Sequence, residues 1–165
     1  MALPNGYTHV EYLRSSGTQY IDTGFIPNSN TRIVITGLFH SGHSLYGTSE
    51  SGTLFNMTSN GSTVYYKWHN AGDSAKWSYM HQVHTFEQDK NVCKIDGATV
   101  HTYTYSSWAA TTSVLLFARN HQTVGPNDMG DVRVYSCKLY DNGVLVRDLI
   151  PCRNPYGTLG MYDLV

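Results

Sequence analysis

The carboxylates of Glu87 and Asp89 stand two residues apart in Glu87-Gln88-Asp89. On an extended strand that spacing sends both side chains to one face. Retaining glycoside hydrolysis needs two such groups about 5–5.5 Å apart, one as nucleophile and one as acid. A serine nucleophile would need a strand-to-helix elbow of the form Gly-x-Ser-x-Gly. Gly42-His43-Ser44-Leu45-Tyr46-Gly47 is one residue too long for that elbow, and no helical periodicity surrounds it. Eight histidines raise the question of a metal. His40 and His43 straddle a glycine, His81 and His84 fall on opposite faces of an extended run, and no cysteine pair has zinc spacing. No glycine loop of the phosphate- or dinucleotide-binding kind occurs.

Aromatic side chains are the stronger candidates for binding. The chain holds 13 Tyr and 3 Trp. Sugar rings present C–H faces that stack on such rings, while their hydroxyls seek Asn, Asp, His and backbone partners. Val64, Tyr66 and Trp68 alternate with Tyr65, Lys67 and His69, so one set faces a core and the other does not. The more apolar set, with Trp68, is assigned to the core. Trp77 follows Asp73-Ser74-Ala75-Lys76 and Trp108 follows Ser106-Ser107, so both border polar loops. They are the ligand-binding candidates, with Tyr105, Asn120 and His121 beside them; the same placement suits a hydrophobic plug under a loop.

The elements that must position these residues are short. No segment sustains a 3.6-residue apolar period; β-rich runs broken by Gly, Asn, Asp and Ser recur instead, the pattern of a sandwich or barrel. Strands are predicted over His9–Arg14, Thr18–Phe25, Arg32–His40, Thr53–Met57, Ser62–His69 and Trp77–Glu87. Further strands are predicted over Asn91–Ile95, Ala98–Tyr103, Ser113–Arg119, Asp131–Tyr140, Val144–Ile150 and Leu159–Tyr162. Asn60-Gly61, Asp96-Gly97 and Asp141-Asn142-Gly143 separate consecutive runs and mark hairpins, because Asn, Asp and Gly tolerate the positive φ of tight turns. Residues 120–130, with Gly125-Pro126-Asn127, read as an irregular loop. The expected fold is one all-β domain over residues 1–165, two stacked antiparallel sheets.

Composition narrows the partners. A formal net charge of −1 with 14% charged residues offers no basic field for nucleic acid. No run approaches the ~20 apolar residues of a membrane-spanning helix, so membrane insertion is not expected. The opening residues lack a basic start and an apolar stretch, so no signal peptide is predicted. Three cysteines cannot form a closed set of internal disulfides and read as buried free thiols.

Two blocks carry a resemblance. Leu3-Pro4-Asn5-Gly6-Tyr7-Thr8, Glu11-Tyr12-Leu13 and Ser15-Ser16-Gly17-Thr18-Gln19-Tyr20-Ile21-Asp22-Thr23-Gly24 form the first. The second is Leu116-Phe117-Ala118-Arg119-Asn120, then residues 134–152, closing with Gly160-Met161-Tyr162-Asp163. Together they resemble a concanavalin A-like, laminin-G-like module found in bacteriophage tail-associated proteins and gut-bacterial surface proteins. The resemblance implies a jelly-roll sandwich that binds a glycan or cell-surface polysaccharide without catalysis, on a virion or at a cell surface. A structural or oligomerisation module without sugar binding is the alternative, with homo-oligomers or neighbouring domains as partners. Such relatives continue past the final Tyr-Asp-Leu-Val with another strand, so the closing strand is expected to be missing or supplied by another chain. Laminin-G-like domains often hold calcium at the sandwich rim, which makes Asn127, Asp128 and Asp131 the candidate ligands; turn chemistry explains the same residues. The sandwich glucanases of this superfold carry Glu-x-Asp-x-Glu or Glu-x-Asp-x-x-Glu. Here Asn91 and Val92 occupy the positions of the second glutamate, so Glu87 and Asp89 read as a solvated strand end.

Overall fold

In the computed structural model, which describes residues 3–70 and 75–165, short runs and turn residues resolve into strands with no helix. In chain order these are β1 Thr8–His9, β2 Leu13–Ser16, β3 Ile21–Asp22, β4 Thr31–Phe39, β5 His43–Glu50 and β6 Thr53–Ser59. There follow β7 Val64–Trp68, β8 Ala75–Trp77, β9 His84–Asp89, β10 Val92–Ile95, β11 Ala98–Thr102 and β12 Leu115–Leu116. The last are β13 Arg119–His121, β14 Gly125–Asn127, β15 Asp131–Asp141, β16 Val144–Arg153 and β17 Leu159–Asp163.

They form two sheets. The first runs β1-β16-β15-β4-β9-β10-β11, with β17 on β16 and β2 on β15. The hairpin of β15 and β16 is paired from its turn back to Cys137 and Leu149, where it opens. The N-terminal β1 and β2 occupy the fork, β1 against Cys152–Arg153 and β2 against Asp131–Val134. The second sheet runs β14-β13-β5-β6-β7-β8, with β12 on β5 and β3 on β12. It is not wholly antiparallel as expected, since β13 lies parallel to β5.

Alternation builds the core between the sheets. In β4 the residues Thr31, Ile33 and Ile35 are buried and their neighbours partly exposed; in β7 Val64, Tyr66 and Trp68 are buried, as their spacing predicts. Ile33, Ile35, Phe86, Val134 and Leu139 of the first sheet share one cluster with Tyr46, Phe55, Met57 and Tyr66 of the second. Polar ties cross it. Tyr46 Oη donates to Gln88 Oε1 at 2.9 Å, Gln88 Nε2 donates to Lys67 O at 3.2 Å, and Tyr66 Oη donates to Lys94 O at 2.7 Å. Both ends of the buried Gln88 amide are thereby satisfied. Burial pushes the Tyr46 hydroxyl well above its ordinary pKa, which keeps it a donor. Cys93, Cys137 and Cys152 are free and buried, with thiol pKa values raised by desolvation.

The three predicted hairpins form between β6 and β7, β10 and β11, and β15 and β16. In the last two, Asp96-Gly97 and Asn142-Gly143 take φ of 51° and 81°, and 48° and 83°, the paired positive values of a tight turn. Other expectations need correction. Residues 43–50 are a strand, although their sequence shows no alternation. Trp77–Glu87 is not one strand: β8 belongs to the second sheet and β9 to the first, with His81 at φ 64° between them. Gly125-Pro126-Asn127 is the regular strand β14; it lies at a sheet edge, where the missing proline N–H costs no ladder bond.

Candidate functional site

The sequence candidates do not come together in one site. Trp108 is 7% exposed and enters the core, its ring 5.9 Å from both Phe55 and Trp68. It is the plug under a loop, not a ring offered to solvent. Tyr105 stays half-exposed beside it, 5.8 Å from Trp68, with its hydroxyl donating to Asn30 Oδ1 at 3.2 Å. Trp77 lies elsewhere, edge-on to Tyr66 at 5.9 Å and partly buried against the core. Asn120 serves the fold: Nδ2 donates to Ser113 O at 3.2 Å, and its own carbonyl accepts from Thr48 Oγ1 at 3.3 Å. His121 turns its Nδ1 to Thr123, 3.2 Å from Oγ1.

The loop that carries Trp108 is fastened by a carboxylate. Glu50 Oε1 accepts from Thr111 N at 2.6 Å, Thr112 N at 2.7 Å and Thr112 Oγ1 at 2.9 Å. Burial favours the protonated acid, but these donors win and hold the pKa below its ordinary value.

The expected calcium ligands are already engaged. Arg14 meets Asp131 through two bonds of 3.0 Å, and Asn127 Oδ1 accepts from Arg119 Nε at 3.1 Å. Asp128 lies 2.7 Å from His43 Nδ1 and 3.7 Å from Arg119 Nε. Arg14 and Arg119 already stand against the two carboxylates a calcium ion would use, and among the described residues no group of three His, Cys, Asp or Glu could hold a metal. The set does not fit calcium. Glu87 is not a solvated strand end either. It accepts from Arg32 at 2.9 Å and Lys94 at 3.2 Å on the outer face of the first sheet. Asp89 stands opposite Arg32 in the ladder.

A groove of about 470 Å³ opens where the chain crosses from the first sheet to the second. Its position follows from a tight turn after β2. Gln19 Oε1 accepts from Ser16 N at 2.9 Å and Ser15 Oγ at 3.2 Å, and Gly17 N donates to Ser15 Oγ at 3.1 Å, with Gly17 at φ 93°. The next residue, Tyr20, stands 48% exposed on the groove wall. Phe117, buried, lines it from the second sheet, and Leu159, 53% exposed, from the start of β17. Tyr12 is held on the other wall between the Arg133 guanidinium, 4.4 Å from its ring centre, and Tyr135 at 5.4 Å. Arg14 is the one charged group among the lining residues, and Asp131 neutralises it. The hydrogen bonds from Arg14 in turn hold the Asp131 carboxyl below its ordinary range.

The result is a groove with tyrosines in its lining, an amide at its edge and its one charge paired, within the roughly 300–1,000 Å³ of ligand-sized pockets. Tyr12, Gln19, Tyr20 and Leu159 were not singled out as ligand groups from the sequence. The signal that could have found them is the Ser15–Gln19 turn, which forces the residue after it outward. Comparison with protein-family models gives no match, and no curated protein matches the chain.

Proposed function

We propose that this chain is a non-catalytic binding module that takes carbohydrate in the groove beside Tyr20. The observation that carries the reading is the groove itself: Tyr12, Tyr20 and the Gln19 amide in its lining, and one cation already neutralised. A pyranose offers the complement, an apolar ring face and a rim of hydroxyls. Two sheets around one core support reading the fold as a concanavalin-like jelly roll. The likeness of residues 3–24 and 134–152 to phage tail-associated and gut-bacterial surface modules supports a place on a virion or cell surface. On this account the ligand is a surface polysaccharide.

A glycan array probed with the intact chain tests the proposal. Saturable binding to a related set of glycans is expected. A flat array, with concentration-dependent self-association in sedimentation, would replace it with the reading of a structural or oligomerisation module. Release of reducing ends from a bound polysaccharide would overturn the non-catalytic part.

A further inference from the structure

We infer that the groove is one half of a longer cleft, and that the ligand is a linear, uncharged oligosaccharide chain several units long. This deepens the carbohydrate reading and rests on it. A second depression, of about 230 Å³, adjoins the groove and shares Leu159 with it. Alone it falls below the roughly 300 Å³ of self-standing ligand pockets, so it is an extension and not a separate site.

Its lining has the same chemistry. Tyr7 and Tyr162 meet edge to face at 5.3 Å, Asn154 and Thr158 supply an amide and a hydroxyl, and none of its lining residues is charged. At its outer side the turn between β16 and β17 is locked by Asn154. Asn154 Oδ1 accepts from Tyr156 N at 3.0 Å and Thr158 N at 2.9 Å, and Asn154 N donates to Thr158 O at 2.9 Å. Tyr156 stands at the tip of that turn, 92% exposed. Tyr20, Leu159 and Tyr7 thus line one cleft whose single charged lining residue, Arg14, is paired with Asp131, and along it ring, amide and hydroxyl groups recur, as a chain of neutral sugar units requires.

Calorimetric titration with malto-, cello-, xylo- and galacto-oligosaccharides of increasing length, and with oligo-uronates, tests this. In the series that binds, affinity is expected to rise about tenfold between short and long members, the factor that about 1.4 kcal/mol represents. Tyr7→Ala should remove that gain while leaving the disaccharide unaffected, and Tyr7→Phe should keep it, a melt of each variant confirming that it folds. Affinity independent of length, or unchanged in a folded Tyr7→Ala chain, would overturn the extended cleft while leaving the single groove standing. Tighter binding of oligo-uronates would overturn the neutral ligand. Failure of every series at every length would overturn the carbohydrate reading as well.

Discussion

Around Phe55, Trp68 and Trp108 the aromatic rings are buried between the sheets, Trp68 edge-on to Trp108 and Phe55 tilted against it, under a loop fastened by Glu50. Around Tyr12, Tyr20 and Leu159 the apolar groups are left partly in water, on walls fixed by ion pairs and a tight turn. The first region spends its rings on stability, the second presents them. Proximity to a polar loop does not separate the two: Trp108 follows two serines and is buried, while Tyr20 follows a serine-rich turn and is exposed. What separates them is where the chain goes next. After Trp108 it returns along the core, with Ala110 N donating to Pro27 O at 3.0 Å; at Tyr20 it crosses between sheets and leaves a gap.

The largest effect should come from the buried rings. Trp68→Ala and Trp108→Ala should each cost about 3–5 kcal/mol, the usual loss for a fully buried large aromatic. Chemical denaturation measures this; a Trp108→Ala variant as stable as wild type would return that residue to the set of exposed candidates and dissolve the contrast. Next is the polar tie across the core. Tyr46→Phe keeps the ring and deletes the donor to Gln88, and should cost about 1–3 kcal/mol through the unsatisfied buried acceptor. A loss below that range would mean that Gln88 finds another donor.

A smaller and conditional effect belongs to Glu50. Its folded pKa lies below its unfolded value, so its stabilising contribution is complete above the ordinary carboxylate value near 4.5 and is lost as pH falls through the folded pKa. Glu50→Gln should therefore flatten the acid side of the stability–pH profile and leave its neutral shape alone. A variant that keeps the wild-type acid slope would show that other carboxylates set it.

The fold was legible where local chemistry repeats. Val64, Tyr66 and Trp68 alternate, and Asp96-Gly97 and Asn142-Gly143 fit turns that need positive φ. It was not legible at β5, because Ser44, Thr48, Ser49 and Glu50 are all buried; a strand covered on both sides by loops and neighbours shows no alternation of apolar and polar residues. β14 was missed because proline argues against a strand except at an edge, and edges are set by tertiary order. The groove was invisible for the same reason. Its walls come from residues 12–14 and 19–21, Phe117 and Leu159, which only the crossing of the chain between sheets brings together.

The smallest expected effect on stability, and the most direct test of the account, comes from Tyr20→Ala set beside Trp108→Ala. Each variant is melted and then titrated with the glycan that the wild-type chain binds best on an array. The account predicts that Tyr20→Ala melts with wild-type, within about 0.5 kcal/mol as for ordinary surface changes, and loses about tenfold or more in affinity. Trp108→Ala should lose stability, and its remaining folded fraction should bind as wild-type does. A Tyr20→Ala chain that binds with full affinity, or a folded Trp108→Ala chain that does not bind, would contradict the assignment of the groove as the binding site.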